Sequence, residues 1–179
     1  MKLPRAIRLD PSDAFVFDRA AEPGQWVVSG AFLFDPAGEL TPKQRVALRS
    51  GLLGIEDFGW TTLAVAVPAT DTEVEAATQT LALAFVERLG APSPDAALQA
   101  AREEIAFAAS LADHPEGTLI AVRRDVEDGG IVERFRTLRR REATHAAPLS
   151  PERVFQFVES DEPDDKVDLA ALLAQKSPP

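Results

Sequence analysis

Apolar residues recur every three or four positions in the middle of the chain, which is the pattern of an amphipathic helix. Ser93 offers a side-chain oxygen that can cap this helix, and Pro94 suits its first turn. Pro115 and Gly117 are expected to end it. A dense β-forming run, Thr118–Val122, follows directly, so we expect the core to be built around this helix and strand. The apolar stripe of the helix comprises Leu98, Ala101, Ile105, Ala108 and Ala112.

Two other segments carry the capping-box pattern, in which a threonine is followed three residues later by glutamine or glutamate. Thr41–Gln44 predicts a helix that runs to about Leu53. Thr70–Glu73 predicts a second helix that ends near Gly90. The apolar stripe of this second helix comprises Val74, Ala77, Leu81, Ala84 and Phe85.

The order of strands and helices predicts an α+β domain with a largely antiparallel sheet and about three helices packed on one face. Gly30 lies within one apolar segment and is predicted to mark a bulge or a close-packing point. Glu127–Gly130 is a strong hairpin signal. The predicted strands are Ala6–Leu9, Ala14–Asp18, Trp26–Phe34, Trp60–Val67, Thr118–Asp125 and Ile131–Leu138.

The character of the chain changes after Arg141, where prolines become frequent and acidic residues accumulate. We therefore predict one domain over residues 1–141 and an acidic tail over residues 142–179. Val154–Val158 is a candidate edge strand, and Asp165–Ala174 is a candidate short helix. The apolar residues of that helix are candidates for docking: Val167, Leu169, Leu172 and Leu173.

The predicted hairpin determines which side chains share a face. With Asp128–Gly129 as a two-residue turn, Arg124 pairs with Glu133 on the mainly core-facing side, and Arg123 lies across from Arg134 on the other side. A turn one residue later keeps the arginines on one face, whereas a three-residue loop flips them. The arginine face and the residues that extend it are Arg123, Arg134, Arg136, Arg139, Arg140 and Arg141.

Three interpretations of the arginine face stay open. It is a solvated surface balanced by acidic groups of the same protein, a docking surface for the acidic tail or for an acidic segment of a partner, or a site for a phosphate or carboxylate ligand. Directly opposed like charges destabilise a sheet, so acidic groups are expected nearby. We predict that the tail at Asp161–Asp168 lies on or near this face, which crosslinking would test.

Glu103, Ser110 and His114 form a candidate polar site, because they lie near one side of the central helix if that helix extends to His114. Glu103 and Ser110 are about 10 Å apart along the helix axis, which is too far for one hydrogen-bond relay. Ser110 also lies within a helix instead of at a strained nucleophile turn. The sequence therefore assigns no catalytic residue.

Composition and charge disfavour several classes of function. The chain has no cysteine, which excludes disulfides, thiolate catalysis and cysteine-ligated metal centres. Its formal net charge of -10 disfavours nucleic acid and anionic lipid as partners. The two histidines are isolated and no phosphate-loop motif occurs, so neither a metal nor a cofactor is predicted. No apolar run has the length of a signal peptide or a membrane span, so we expect a soluble cytoplasmic protein.

Four segments carry a family resemblance: Arg8–Asp10, Gly30–Phe32, Phe58–Trp60 and, most specifically, Glu103–Val122. Through them the chain resembles a small bacterial family that is known only as a domain of unknown function, over about residues 1–138. The resemblance implies no reaction, cofactor or functional residue. Such families are associated with gene groups for molybdenum-dependent oxidoreductases, so the resemblance implies an accessory role.

The leading hypothesis is a nonenzymatic cytoplasmic accessory or protein-interaction module that supports an oxidoreductase system. Its contact surfaces are the arginine face and the apolar, acidic tail, and its partner is another protein or a second copy of the chain. The alternative is an enzyme or binding protein for a small anionic ligand. In that alternative, Arg123, Arg134 and Arg136 bind the anion, and Glu103 or His114 transfers a proton.

Overall fold

The computed structural model describes residues 1–139, which form seven strands, four α-helices and one turn of 3-10 helix at Ala31–Leu33. The strands are β1 (Lys2–Ile7), β2 (Val27–Val28), β3 (Leu52–Gly54), β4 (Trp60–Thr61), β5 (Leu63–Pro68), β6 (Leu119–Glu127) and β7 (Gly130–Leu138). The helices are α1 (Ser12–Val16), α2 (Pro42–Ser50), α3 (Asp71–Leu89) and α4 (Pro94–Leu111).

The strands described by the structure form two antiparallel sheets. The larger sheet has the order β1-β5-β6-β7, and the smaller one has the order β2-β3-β4. Together with the four helices, this arrangement confirms the predicted α+β class and its antiparallel pairing. The sequence predicts a single sheet and about three helices, and α1 is the additional helix.

The predicted helix starts are confirmed by their capping hydrogen bonds. The side chains of Thr41 and Thr70 accept hydrogen bonds from the third residue of each helix, and both capping boxes are reciprocal. Ser93 Oγ accepts a hydrogen bond of 3.1 Å from the backbone of Ala96, so α4 begins at the predicted position. Helix α2 ends at Ser50 and not near Leu53, because β3 begins at Leu52 and pairs with β2 and β4.

The largest apolar cluster is formed by α3 and α4 together with residues of the strands. Leu81 and Phe85 of α3 pack with Ala101 and Ile105 of α4, and Leu3 of β1 belongs to the same cluster. All five side chains are buried. The apolar stripe that predicts α4 is therefore its buried face, and the burial of such side chains is the main source of stability for the fold.

The predicted strand at Ala14–Asp18 is wrong, because most of it lies in helix α1. The backbone of Ser12 donates a hydrogen bond of 2.8 Å to the Asp10 carboxylate, which turns the chain into the helix. Asp13 is buried and accepts a hydrogen bond of 2.9 Å from the Thr62 hydroxyl. These contacts hold a helix of only five residues that its own apolar pattern does not predict.

The predicted strand at Trp26–Phe34 is too long, since only Val27–Val28 pairs with a neighbouring strand. Gly30 has a φ of 78°, which turns the chain out of the sheet. A Cβ atom at this glycine would lie 2.6 Å from Leu53 Cβ, so the predicted close-packing point is confirmed. The segment Trp60–Val67 is likewise divided between β4 and β5, which belong to different sheets.

No helix within residues 1–139 has the length and apolar character needed to cross a membrane. The predicted acidic tail lies outside the described residues, as do its candidate edge strand and short helix. The predicted division into a domain and a tail therefore stays a prediction.

Candidate functional site

The β6–β7 hairpin has the predicted register. Asp128 and Gly129 form its turn with φ values of 51° and 76°, as a two-residue hairpin turn requires. Arg124 pairs with Glu133, and Arg123 pairs with Arg134. The hairpin therefore has one side that faces the core and one side that carries the arginine face.

The arginine face includes acidic residues of the same two strands. Arg134 Nη1 lies 3.1 Å from Asp125 Oδ2, and Arg134 Nη2 lies 2.6 Å from Glu127 Oε1. Arg123 Nε lies 3.4 Å from the same Asp125 oxygen. The hydrogen bond and the charge of Glu127 raise the pKa of Arg134 above its ordinary value. The expected acidic neighbours are therefore present, and they partly balance the face.

The remaining predicted arginines are placed as follows. Arg136 is exposed on β7, on the same side as Arg134, and Arg139 follows the end of β7 and is also exposed. Arg140 and Arg141 lie outside the described residues, as do the docking candidates Val167, Leu169, Leu172 and Leu173. The structure thus brings together three of the six predicted arginines on one side of a strand pair. Their role in binding stays a prediction.

The opposite side of the hairpin contains a buried arginine. The Arg124 side chain is 0% exposed, and its Nε lies 3.3 Å from Glu133 Oε1. Arg124 Nη1 donates hydrogen bonds of 3.0 Å to the Leu48 carbonyl and 2.7 Å to the Gly51 carbonyl. Arg124 Nη2 donates to the carbonyl of Ser29 and, at 3.1 Å, to its hydroxyl oxygen.

These contacts use all five N–H donors of the Arg124 guanidinium group. The carbonyls of Leu48 and Gly51 lie at the end of α2, and Ser29 follows β2, so Arg124 ties the hairpin to both elements. Burial is the main cause that lowers the pKa of Arg124, and the carboxylate of Glu133 opposes this shift. Because no donor is left over, this cluster serves as a structural clamp and not as an anion site.

Glu104 of α4 lies close to this clamp and is the most perturbed acid of the described residues. Its Oε2 atom is buried, and no hydrogen-bond partner for it occurs within residues 1–139. Burial raises the pKa of Glu104 to about 7, with further contributions from the carboxylates of Glu133 and Glu103, while Arg124 opposes the shift. The group can therefore take up a proton near neutral pH, and within residues 1–139 no hydrogen bond joins its Oε2 atom to a nucleophile or a base.

The candidate polar site on the central helix is not brought together. Glu103 Oε1 accepts a hydrogen bond of 2.7 Å from Gln99, and the Ser110 hydroxyl donates one of 2.6 Å to the Phe107 carbonyl. Helix α4 ends at Leu111, before His114 is reached. Among the described residues no hydrogen bond joins the side chains of Glu103, Ser110 and His114.

Two of the pockets formed by residues 1–139 lie on other parts of the surface. One has a volume of about 190 Å³ and is lined by Lys43, Phe34 and Trp60. The rings of Phe34 and Trp60 stack with centroids 5.3 Å apart. The other has a volume of about 70 Å³ and lies beside Asp13, whose carboxylate is already bound by threonines. Neither pocket is lined by residues of the arginine face or by the candidate polar site.

Within residues 1–139 no group of three or more histidine, aspartate or glutamate side chains is placed to hold a metal ion.

Sequence reasoning did not identify the buried cluster of Arg124, Ser29 and Glu104 as a site. The hairpin register does place Arg124 opposite Glu133 on the core-facing side, and a charged pair on that side is a signal for a buried ion pair. Ser29 and Glu104 come from distant elements and give no such signal, because only the tertiary fold brings them to the hairpin.

The described residues define an α+β domain in which a buried arginine anchors a two-stranded hairpin with an exposed, charged outer side. Residues 1–149 match the model of a family of unknown function (DUF6505), and the chain belongs to that family. The predicted resemblance to a domain of unknown function is therefore confirmed, and the match extends beyond residue 138. The bacterial origin implied by the resemblance stays a prediction. No curated protein and no solved structure matches the chain.

Proposed function

We propose that the protein is a nonenzymatic cytoplasmic accessory module, which binds a protein partner through the outer side of the β6–β7 hairpin. The proposal is supported by the exposure of Arg123, Arg134 and Arg136 on one side of this hairpin. The family resemblance stated above suggests an oxidoreductase system as the setting of this partner.

The charge of this outer side favours an acidic partner. The two strands present three arginines there, against Asp125 and Glu127, in a chain with a formal net charge of -10. Arginines therefore exceed carboxylates by one on this side of the two strands, and such an excess on an acidic protein favours the approach of acidic groups at this place.

The strand beneath this surface is anchored to the rest of the fold. The Arg124 clamp ties β6 to α2 and to the residue after β2, and Val122 is buried in the core below the same strand. A surface that is already ordered loses little conformational entropy when a partner binds. This anchoring therefore suits a recognition surface better than it suits a site that must close over a substrate.

The alternative, a site for a small anionic ligand, has less support. A small anion needs an enclosed site with several converging donors, and neither pocket described above is lined by an arginine of this face. The proton donors required by that alternative, Glu103 and His114, belong to α4 and to the segment after it, and neither pocket described above includes them.

A pull-down from the native host, analysed by mass spectrometry, tests the proposal. Three baits are compared: the full chain, the chain that ends at Arg141, and the full chain with Arg123→Glu, Arg134→Glu and Arg136→Glu. A matched control carries the same change of charge at exposed arginines elsewhere, namely Arg45→Glu, Arg49→Glu and Arg102→Glu. Circular dichroism establishes that all baits are folded.

We expect the full chain and the control to retrieve the same stoichiometric partner, and the hairpin variant to lose it. If the control bait also loses the partner, overall charge and not this surface determines whether the partner is retrieved. This result would contradict the proposal. Retrieval of no partner by the full chain would also contradict it, and a thermal-shift screen of anionic metabolites would then test the alternative.

A further inference from the structure

Strand β7 lies at the edge of the larger sheet, and within residues 1–139 it pairs with β6 alone. In a two-residue hairpin the residues that flank the turn, Glu127 and Gly130, form a hydrogen-bonded pair, and such pairs alternate along the strands. The backbone N–H and C=O groups that point away from β6 therefore belong to Ile131, Glu133, Phe135 and Thr137. This edge can hydrogen-bond to another strand.

We infer that β7 binds an extended segment of another protein as an additional antiparallel strand, and that acidic and apolar residues alternate in this segment. The inference rests on the proposed function and names the chemistry of its partner. Addition of a strand to an exposed sheet edge is a common mode of peptide recognition, in which backbone hydrogen bonds give affinity and alternate side chains give specificity.

The two sides of β7 differ in chemistry at this edge. On the outer side, Arg134 and Arg136 are exposed and would lie beside every second side chain of an added strand. On the inner side, the Phe135 ring contacts the Phe107 ring of α4 with centroids 5.7 Å apart, and Phe107 is 41% exposed. An added strand is therefore complementary when its outer residues are acidic and its inner residues are apolar.

A second copy of the chain is a poor occupant of this edge. In a two-fold antiparallel pairing, the residue at the centre lies opposite its own copy. A centre at Glu133 opposes two carboxylates, and a centre at Arg134 opposes two guanidinium groups. A centre at Phe135 brings Arg134 opposite Arg136 of the other copy. Each of these arrangements opposes like charges, as does a centre at Arg136, whereas a centre nearer either end of β7 pairs at most five residues of the strand. An acidic and apolar partner strand avoids both problems.

A labelled peptide of about ten residues in which glutamate and valine alternate provides a direct probe, because this length is sufficient for one strand. Fluorescence anisotropy is measured with the full chain. We expect saturable binding that weakens as salt is added. Two control peptides, one with lysine in place of glutamate and one with the same residues grouped into two blocks, should not bind. Equal binding of the three peptides would overturn the inference.

N-methylation of the peptide tests the backbone pairing without changing the protein. If glutamates face Arg134 and Arg136, the valines lie opposite Phe135 and Thr137, whose backbone groups form the hydrogen bonds. Methylation of the valine amides should therefore abolish binding, whereas methylation of the glutamate amides should leave most of it. Binding that is indifferent to valine methylation would overturn strand addition.

Two variants at Thr137 supply the matched test on the protein. Thr137→Pro removes an N–H group that points away from β6 and should weaken peptide binding about tenfold. Thr137→Val keeps the N–H group and should bind like the unchanged protein. If Thr137→Pro fails to fold, the methylated peptides still decide the question.

The pull-down distinguishes this inference from the proposed function. Loss of the partner in both the hairpin arginine variant and the folded Thr137→Pro variant would support both. Loss in the arginine variant alone would keep the hairpin as the contact surface but reject pairing at its edge. Two other results would also reject a segment of another protein as the occupant. One is a dimer of the chain that Thr137→Pro abolishes, which would make a second copy the occupant. The other is peptide binding by the chain that ends at Arg141 when the full chain does not bind, which would make the tail the occupant.

Discussion

Arg124 and Glu133 lie directly opposite each other across the hairpin, and their side chains form a buried ion pair with Nε and Oε1 3.3 Å apart. The same register places Arg123 opposite Arg134 on the exposed side. One pairing of two strands therefore produces both the structural clamp and the charged surface. This relationship separates the residues that should matter for stability from those that should matter for binding.

Replacement of the buried arginine should strongly destabilise the fold. Arg124→Met leaves Glu133 without its guanidinium partner and leaves the carbonyls of Leu48 and Gly51 without their donor. Loss of one member of a buried ion pair costs about 3–5 kcal/mol in the free energy of unfolding. Urea denaturation measures this loss. Arg123→Met, on the exposed side, should change the free energy of unfolding by less than about 0.5 kcal/mol. Similar losses of unfolding free energy in Arg124→Met and Arg123→Met would contradict the structural role assigned to Arg124.

Gly30 should tolerate no side chain. Its φ of 78° is unfavourable for alanine, and the added Cβ would lie 2.6 Å from Leu53 Cβ and 2.9 Å from the Trp60 ring. We expect Gly30→Ala to lower the free energy of unfolding by about 2–5 kcal/mol, from backbone strain and overpacking together. Gly129→Ala is the matched control, since Gly129 has a φ of 76° but open space around it. This control should cost only about 1–2 kcal/mol. Equal losses would show that backbone strain alone is responsible.

The elements that the sequence predicts well are those determined by neighbours along the chain. Thr70 and Ser93 begin helices because their own side chains bond to backbone groups three residues away. The hairpin register follows from Asp128 and Gly129, because a two-residue turn with positive φ allows only one pairing of the flanking residues. From that register, the arginine face and the expected acidic neighbours were predictable.

The elements that the sequence does not predict depend on contacts between distant residues. Helix α1 is held by hydrogen bonds from Thr61 and Thr62 to Asp13, which lies 48 and 49 residues away. The chain leaves β2 near Gly30, where the Leu53 and Trp60 side chains lie too close for any Cβ atom. The raised pKa of Glu104 follows from the burial of its side chain beside the hairpin, and no local sequence pattern reveals this burial.

The helix caps should contribute measurably to stability. Thr70→Ala removes an oxygen that accepts from the Glu73 backbone at 3.2 Å and should cost about 1 kcal/mol in the free energy of unfolding. Ser93→Ala should cost a similar amount for the corresponding reason in α4. Thr80→Ala, an exposed change within α3, removes only a bond to the Ala76 carbonyl and should be neutral or slightly stabilising, since alanine favours helix. Thermal unfolding of the three variants provides the comparison.

Glu104 should make the stability of the protein decrease as pH rises toward neutrality. Its pKa is raised from the ordinary 4.5 to about 7 in the folded protein, first by burial and then by the charges of Glu133 and Glu103. Between these two values the folded state binds the proton more tightly than the unfolded state, so the contribution of Glu104 to the free energy of unfolding falls as pH increases. Below pH 4.5 both states are protonated, and above about pH 7 the loss is complete.

Glu104→Gln removes this titration and should flatten the pH dependence in the same window. We expect the variant to be more stable than the unchanged protein by about 1 kcal/mol at pH 8, a moderate value because solvent reaches part of the side chain. At pH 4 the two should be nearly equal. Glu116→Gln, at an exposed position, serves as the control for the loss of one carboxylate. Urea denaturation at several pH values measures the difference between each variant and the unchanged protein. If Glu104→Gln keeps the same slope between pH 4.5 and 7, the buried carboxyl group is not the group that titrates there.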